Sequence, residues 1–285
     1  MTTMSKVCAQ ETLSKMVGLR HGASIHLFGT RVHIPPGDNP EGLSLIATLL
    51  EQCGIHTLLR PNTARFNRLI IDCKTAFHQK FNIRKVTVYT DLAAEGVIVF
   101  PGEAALIRVA DCAACYVAHP HIKGIAFFRA GLRSIVSDNP EKTGVESVVR
   151  SAVNTLLRHK HKNSGILAED LSGGIILGIR GGHFVYSPTD PVYGTKNQRL
   201  LERIKVGWHE GCLKKSVSGG IRLRHLIRRE MRHCGLANCN IEITKHSPVC
   251  DVDESGQHLW HSHVREGQKR QEKSNAVLLI NPPQD

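Results

Sequence analysis

Apolar and polar positions along this chain change in short blocks, with strand-like runs outnumbering long helical stripes. His26 to Ile34 alternates with the period of two expected of a half-buried strand, and Pro35-Pro36-Gly37-Asp38 ends it. Leu43 to Cys53 reads as a helix, and so does Arg65 to Phe81, where Phe66, Leu69, Ile70, Cys73, Phe77 and Phe81 recur at helical spacing. Val86–Tyr89 and Val97–Phe100 read as short strands. They lead into three apolar runs: one from Leu106 that ends on Asp111-Cys112, one from Cys115 to Ala118, and one from Gly124 to Phe128. The third runs straight into Arg129-Ala130-Gly131-Leu132-Arg133.

The second half carries the best helical stripe. Val145, Val148, Val149, Ala152, Val153, Leu156 and Leu157 share one face over Thr143–His159, and Arg158, Lys160 and Lys162 crowd the C-terminal end, where the helix dipole favours cations. Gly173 to Arg180 reads as a buried strand opening onto a Gly181-Gly182-His183 turn. Helices follow near Asn197–Lys205 and Ile221–His233. Ile241–Ile243 and Val277–Ile280 are late strands on either side of a polar loop from Cys250 to Lys273. This irregular interleaving predicts an α+β fold, a single domain of mixed β-sheets covered by helices over residues 25–285. Residues 1–24 read as a loosely attached N-terminal extension.

Composition narrows the setting. A chain of 285 residues with 41% apolar positions can bury a sizeable core. No apolar run is long enough to span a bilayer, and Met1 to Lys15 lacks an apolar segment with a small-residue cleavage site. Nine cysteines are an odd number in a chain that needs no staples, so reduced thiols and a cytoplasmic location are expected. The formal charge of +12 favours anionic partners such as phosphate, nucleotides or nucleic acid.

Candidate chemistry concentrates at the strand ends. Asp111 and Cys112 stand where a buried strand stops, a place that holds reactive groups rigidly. Arg129 and Arg133 either bind a phosphate bidentately or form ion pairs with residues such as Asp138 and Glu141. Cys115, His119 and His121 lie near Cys112 in sequence, but strand periodicity sends Cys112 and Cys115 to opposite faces. A spaced set, Cys234, Cys239, His246 and Cys250 with His233 alongside, has ligands of the type a structural zinc uses, at unusually short spacing. The helix Ile221–His233 carries Arg222, Arg224, Arg228, Arg229 and Arg232 around an apolar stripe. With few aromatics interleaved for base stacking it reads as a solvated face, which disfavours nucleic acid as a partner.

The central stretch resembles the polyphenol-oxidase or laccase-domain family, regarded as zinc-dependent purine nucleoside phosphorylases. Ala110-Asp111-Cys112 matches that family's Ala-Asp-Cys at a strand end, and Arg129-Ala130-Gly131-Leu132-Arg133-Ser134 stands where it has His-Ala-Gly-Trp-Arg/Lys-Gly. Phe28-Gly29-Thr30-Arg31 resembles its Phe-Ser-Thr-Arg segment, and Asn67-Arg68 an Asn-Arg pair. Asn240-Ile241, Cys250 and Trp260-His261-Ser262-His263-Val264-Arg265 resemble its C-terminal segments. The likeness spans residues 26–281 in the right order. It implies phosphorolysis of adenosine, inosine or methylthioadenosine to base and ribose-1-phosphate, with adenosine deamination beside it. Asp111 and Cys112 would be catalytic, while Arg133, Arg129 and Arg31 would bind phosphate. The implied zinc would rest on Cys112 and two histidines. Arg129 replaces one of these, and a guanidinium is no metal ligand. His78 is the candidate for the other, unless Val86–Tyr89 aligns with the family's strand and that segment is missing. The substituted ligands leave a second reading open, an inactive paralogue that keeps a nucleotide or anion pocket. An RNA-binding protein is a third, resting on charge. Multicopper laccase chemistry is disfavoured, because it needs many paired histidines.

Overall fold

The computed structural model describes residues 11–13, 19, 22–30, 40–63, 69–91, 93–136, 147–162, 164–266 and 274–284. Strands β1 (Glu11–Leu13), β2 (Ser24–Phe28), β3 (Thr57–Leu59), β4 (Ile70–Ile71), β5 (Gln79–Ile83), β6 (Val86–Thr90), β7 (Gly96–Val99) and β8 (Glu103–Val109) fill the first part. They are followed by β9 (Ala113–Ala118), β10 (Ile125–Ala130), β11 (Ser172–Ile175), β12 (Phe184–Val185), β13 (Gly220–Ile221), β14 (Ile241–Ile243) and β15 (Asn275–Asn281). The helices are α1 (Pro40–Gln52), α2 (Leu132–Ile135), α3 (Val148–Arg158), α4 (Gly194–Trp208), α5 (Leu223–His233) and α6 (His263–Glu266).

Two mixed sheets carry the fold. One has seven strands in the order β1-β2-β15-β8-β3-β6-β5, the other six in the order β14-β11-β9-β10-β7-β4, and β12 pairs with β13 separately. The facing surfaces bury Leu27, Ile107, Val277 and Leu279 of the first sheet against Val99, Tyr116, Ile125 and Phe127 of the second. Helix α1 covers the outer face of the larger sheet through Leu43, Ile46 and Leu50. Helices α3 and α5 cover the outer face of the smaller one, where Cys115, Val117, Phe128 and Ala130 point. Four layers result, so the central strands are buried on both sides and read as continuous apolar runs. Gly174 is required by this packing, since a Cβ there would run into the Tyr116 ring.

The α+β expectation of mixed sheets under helices holds. The helix expected over 65–81 does not form across its described part. Ile70–Ile71 instead pairs with Gly96-Val97, Lys74–Ala76 makes one 3-10 turn, and Gln79–Ile83 pairs with Val86–Thr90. The apolar residues match a helical period by coincidence. Strand pairing at the edges of both sheets wins, helped by a tight hairpin turn in which Arg84 takes a left-handed φ of 55°. Glu11–Leu13, inside the expected loose extension, pairs with β2 as an edge strand. The strand expected over Gly173–Arg180 is regular only to Ile175. Beyond it the chain still tracks β9, with Ala114 N donating to Leu177 O at 2.9 Å and Ile179 N to Asp111 O at 3.0 Å. Of the helix expected over Thr143–His159, residues 143–146 lie outside the described residues; the described helix is Val148–Arg158, with Ser147 Oγ accepting from Arg150 N at 3.1 Å as an N-cap. Among the described residues no helix is long and apolar enough to cross a membrane.

Candidate functional site

Strand β8 belongs to the larger sheet and β9 to the smaller, so Ala110-Asp111-Cys112 is the link that carries the chain from one layer to the other. Strand β10 returns antiparallel to β9, and the register pairs Arg129 with Ala114 and Ala130 with Ala113. This brings Arg129 back to the Cys112 end. Alternation along β10 puts Phe128 and Ala130 on the helix side, and Phe127 between the sheets. Arg129 therefore points into the mouth of the inter-sheet gap.

There it meets Glu95, the residue before β7. Arg129 Nε donates to Glu95 Oε2 at 3.1 Å and Nη2 to Oε1 at 3.2 Å, while Arg129 N donates to Glu95 O at 2.8 Å. Glu95 is fully buried and the Arg129 side chain is 11% exposed. Two opposite charges in bidentate geometry satisfy each other, and neither tolerates burial alone. Cys112, half-buried beside them, has its thiol pushed up by burial. Arg129 opposes that rise, whereas Glu95 and Asp111 add to it. The thiol is neutral at neutral pH and a poor nucleophile.

Asp111 is buried and its carboxylate is fully engaged. Oδ1 accepts from Ser262 Oγ at 2.6 Å, and Oδ2 from Val264 N at 2.9 Å. Ser262 precedes α6 and accepts from Arg265 N at 3.3 Å, so Asp111 fastens the start of that short helix to the end of β8. Asn275 completes the attachment. Its Nδ2 donates to Val109 O at 3.2 Å and to His261 O at 2.9 Å, and its Oδ1 accepts from His261 N at 2.8 Å. Thr30 N donates to Leu259 O at 3.0 Å and Thr30 Oγ1 to His258 O at 2.7 Å. The Phe28–Thr30, Ala110–Cys112, Arg129–Arg133 and Trp260–Arg265 segments thus converge on one end of the two sheets, though they are far apart in sequence.

The other expected site residues fare unequally. Arg133 is exposed on α2, close after Arg129. Arg31, Asn67 and Arg68 lie outside the described residues, as do Asp138 and Glu141. His78 is exposed and precedes β5, the far edge strand, three strand spacings or about 14 Å from β8. It is not brought to Cys112. Cys115 is buried on the helix side of β9, opposite to the gap as its spacing predicted, and its thiol is pushed up by burial. His119 and His121 follow the other end of β9. The set Cys234, Cys239, His246 and Cys250 does not assemble either. Cys234 is buried on Glu230, with its thiol pushed up to about 12 mainly by burial, His246 is buried against Trp260, and Cys239 and Cys250 are exposed. Among the described residues no group of three His, Cys, Asp or Glu side chains is placed to hold a metal ion. The zinc implied by the resemblance does not fit this donor set, because a guanidinium already paired to a buried carboxylate stands where an imidazole ligand is needed.

Glu95 belongs to no motif; its signal in the sequence is a lone carboxylate opening an apolar strand, matched by a lone arginine inside another.

No protein-family model matches the chain, and no curated protein matches it by sequence. Solved structures do. YlmD from Geobacillus stearothermophilus superposes with a TM-score of 0.62 at 14% identity, over 92% of this chain and 93% of its own. The Bacillus licheniformis hypothetical protein YfiH gives 0.57 at 13% identity, over 90% and 91%. The Neisseria meningitidis protein NMB0706, described with the family model DUF152, gives 0.61 at 12% identity, over 94% and 97%. This chain has the YfiH-like, laccase-domain fold. The agreement covers nearly the whole of each chain, so the YfiH-like architecture extends across both sheets and their covering helices.

Proposed function

We propose that this YfiH-like chain binds a purine nucleoside or its phosphate at the Cys112 end of the sheets, without the zinc-dependent phosphorolysis that the resemblance implies. The observation that supports this reading is the bidentate Arg129–Glu95 pair. It is a fixed, neutralised ion pair at the residue to which the resemblance assigns a metal-ligating histidine, and a metal that activates a reactant needs its coordination set intact. The ligand class rests on the resemblance. Arg133 is the proposed anion contact, with Arg31 as a second. Arg129 is withdrawn from phosphate binding by Glu95. Asp111 acts as a positioning residue for the 261–266 segment, and Cys112 contributes a neutral wall. A cytoplasmic setting is proposed from the odd number of cysteines.

One observation favours a second reading, metal-independent phosphorolysis. Asp111 and Cys112 are held at a strand end to which β10 returns, and the exposed Arg133 follows that strand, a guanidinium suited to place phosphate and offset its charge.

The test incubates untagged protein with inosine, adenosine or methylthioadenosine and phosphate, with and without a chelator. Released base is read by chromatography, nucleoside binding by calorimetry, and metal by mass spectrometry. We expect chelator-insensitive binding and no base. Chelator-insensitive release of base would establish the second reading. One zinc per chain with chelator-sensitive release would overturn both.

A further inference from the structure

Away from the Cys112 end, the covering helices concentrate charge. Residues 194–233 contain eleven Lys and Arg against three Glu, a net of eight of the chain's +12. Helices α4 and α5 and the turn between them pack together. Along α5, Arg222, His225, Arg229 and Arg232 recur at three- and four-residue intervals, so they share one face, and Arg228 lies beside it. The opposite face is apolar and fills the core with Leu223, Leu226, Ile227 and Met231.

What distinguishes this stripe is its lack of counter-charges. The carboxylate of α5 itself, Glu230, is buried and turned inward, where it accepts from Ser147 Oγ and from Trp208 Nε1 at 2.7 Å. Glu210 faces Lys215 at 3.9 Å. Among the described residues the side chains of Arg222, Arg228, Arg229 and Arg232 have no carboxylate and no hydrogen-bond partner, and Arg228 Nε is buried without one. The same surface reaches His225, whose imidazole is lowered by burial and then by Arg222, Arg228 and Arg229. Beyond the last turn, Arg229, Arg232, His233 and Asn238 edge an open concavity of about 330 Å³ floored by Leu236 and Ala237.

We infer that the solvent face of α5 binds the phosphodiester backbone of a nucleic acid, without reading its sequence. Arginine is the side chain suited to phosphate, because its planar fork donates two parallel hydrogen bonds. From Arg222 to Arg232 the stripe is about 15 Å long and carries Arg222, Arg228, Arg229 and Arg232, so a strand laid along it meets four guanidiniums, each able to take one phosphate. One isolated phosphate would engage only part of it. No Phe, Tyr or Trp lies on the stripe to stack on bases; that composition disfavours reading of bases and leaves contact with the backbone. The ligand here is distinct from the nucleoside proposed at the Cys112 end, and either assignment can fail alone.

The test titrates labelled single-stranded RNA of mixed sequence, and the matching DNA, into the full chain by fluorescence anisotropy at several salt concentrations. Four neutralised phosphates predict about a 50-fold loss of affinity between about 50 and 200 mM salt. R229Q/R232Q should weaken binding at low salt and reduce that loss to about 7-fold, because two contacts remain. R158Q removes an exposed arginine of α3 that pairs with Asp72 and should leave the titration unchanged. Thermal melts check that each variant is folded. No binding, or equal salt dependence in wild type and R229Q/R232Q, would overturn the inference. So would capture of anionic phospholipid vesicles in preference to both nucleic acids.

Discussion

The Cys112 end of the sheets and the outer face of α5 are both rich in charge, and they treat it in opposite ways. Near the sheet ends three buried charges have fixed partners: Arg129 on Glu95, Asp111 on Ser262 and Val264, and Arg224 on backbone carbonyls. Arg224 is buried, its guanidinium lowered to about 10 chiefly by burial, and it donates through Nε to Gly178 O at 2.8 Å and through Nη1 to Thr244 O at 2.8 Å. Two positions earlier and four later on the same stretch, Arg222 and Arg228 have no partner among the described residues. Identical side chains thus serve architecture in one place and stand open to a ligand in the other. Low dielectric makes an unpaired interior charge prohibitive, whereas water tolerates it on the surface.

The sharpest way to break the comparison is to unpair the interior. Glu95→Ala should cost about 3–5 kcal/mol in urea denaturation, because it strands Arg129 in the gap between the sheets. The double variant E95L/R129M should recover most of that loss, as apolar replacements of a buried pair often do. If the single variant is as stable as wild type, the pair is not the buried anchor described above.

Asp111→Ala is the next largest. It leaves Ser262 Oγ and Val264 N without their acceptor, at about 1–3 kcal/mol for each buried donor left unsatisfied. Limited proteolysis should then cut first between Cys250 and Glu266. Unchanged cleavage in a variant of lowered stability would show that Asp111 does not hold this segment.

The thiols test the electrostatics of the two settings without disturbing the fold. Cys73 is exposed and its thiol is lowered, mainly by the Thr75 hydroxyl at 2.7 Å, while burial raises Cys112. The thiolate of Cys73 is therefore populated at lower pH than that of Cys112. Iodoacetamide at mildly alkaline pH should label Cys73 well before Cys112, as peptide mass spectrometry would read out. The reverse order would contradict the burial of Cys112 among Arg129, Glu95 and Asp111.

The smallest expected effect lies on α5. R229Q/R232Q removes two charges without a hydrogen-bond or carboxylate partner among the described residues, so the unfolding free energy should stay within about 0.5 kcal/mol of wild type. A large destabilisation would mean that these arginines belong to the architecture after all.

Much of the fold could be read along the chain. The apolar runs at 106–118 and 124–128, the stripe at 148–157 and the strands at 241–243 and 277–280 all stand where periodicity put them, because burial on both faces or on one stripe leaves a strong local pattern. The stretch from Ile70 to Ile83 was not legible. Its apolar spacing fits a helix, and only the free edges of two sheets made it strand. In the site, the sequence determined the residue types: an acid and a thiol at a strand end, and an arginine near the end of β10, the partner of β9. Only the tertiary structure decided their fates. Glu95 lies 34 positions before Arg129, and Ser262 151 positions after Asp111, so no local pattern announces that one carboxylate neutralises a guanidinium while the other fastens a helix. Pairing of buried charge is a long-range property, set by which strand ends the two sheets bring together.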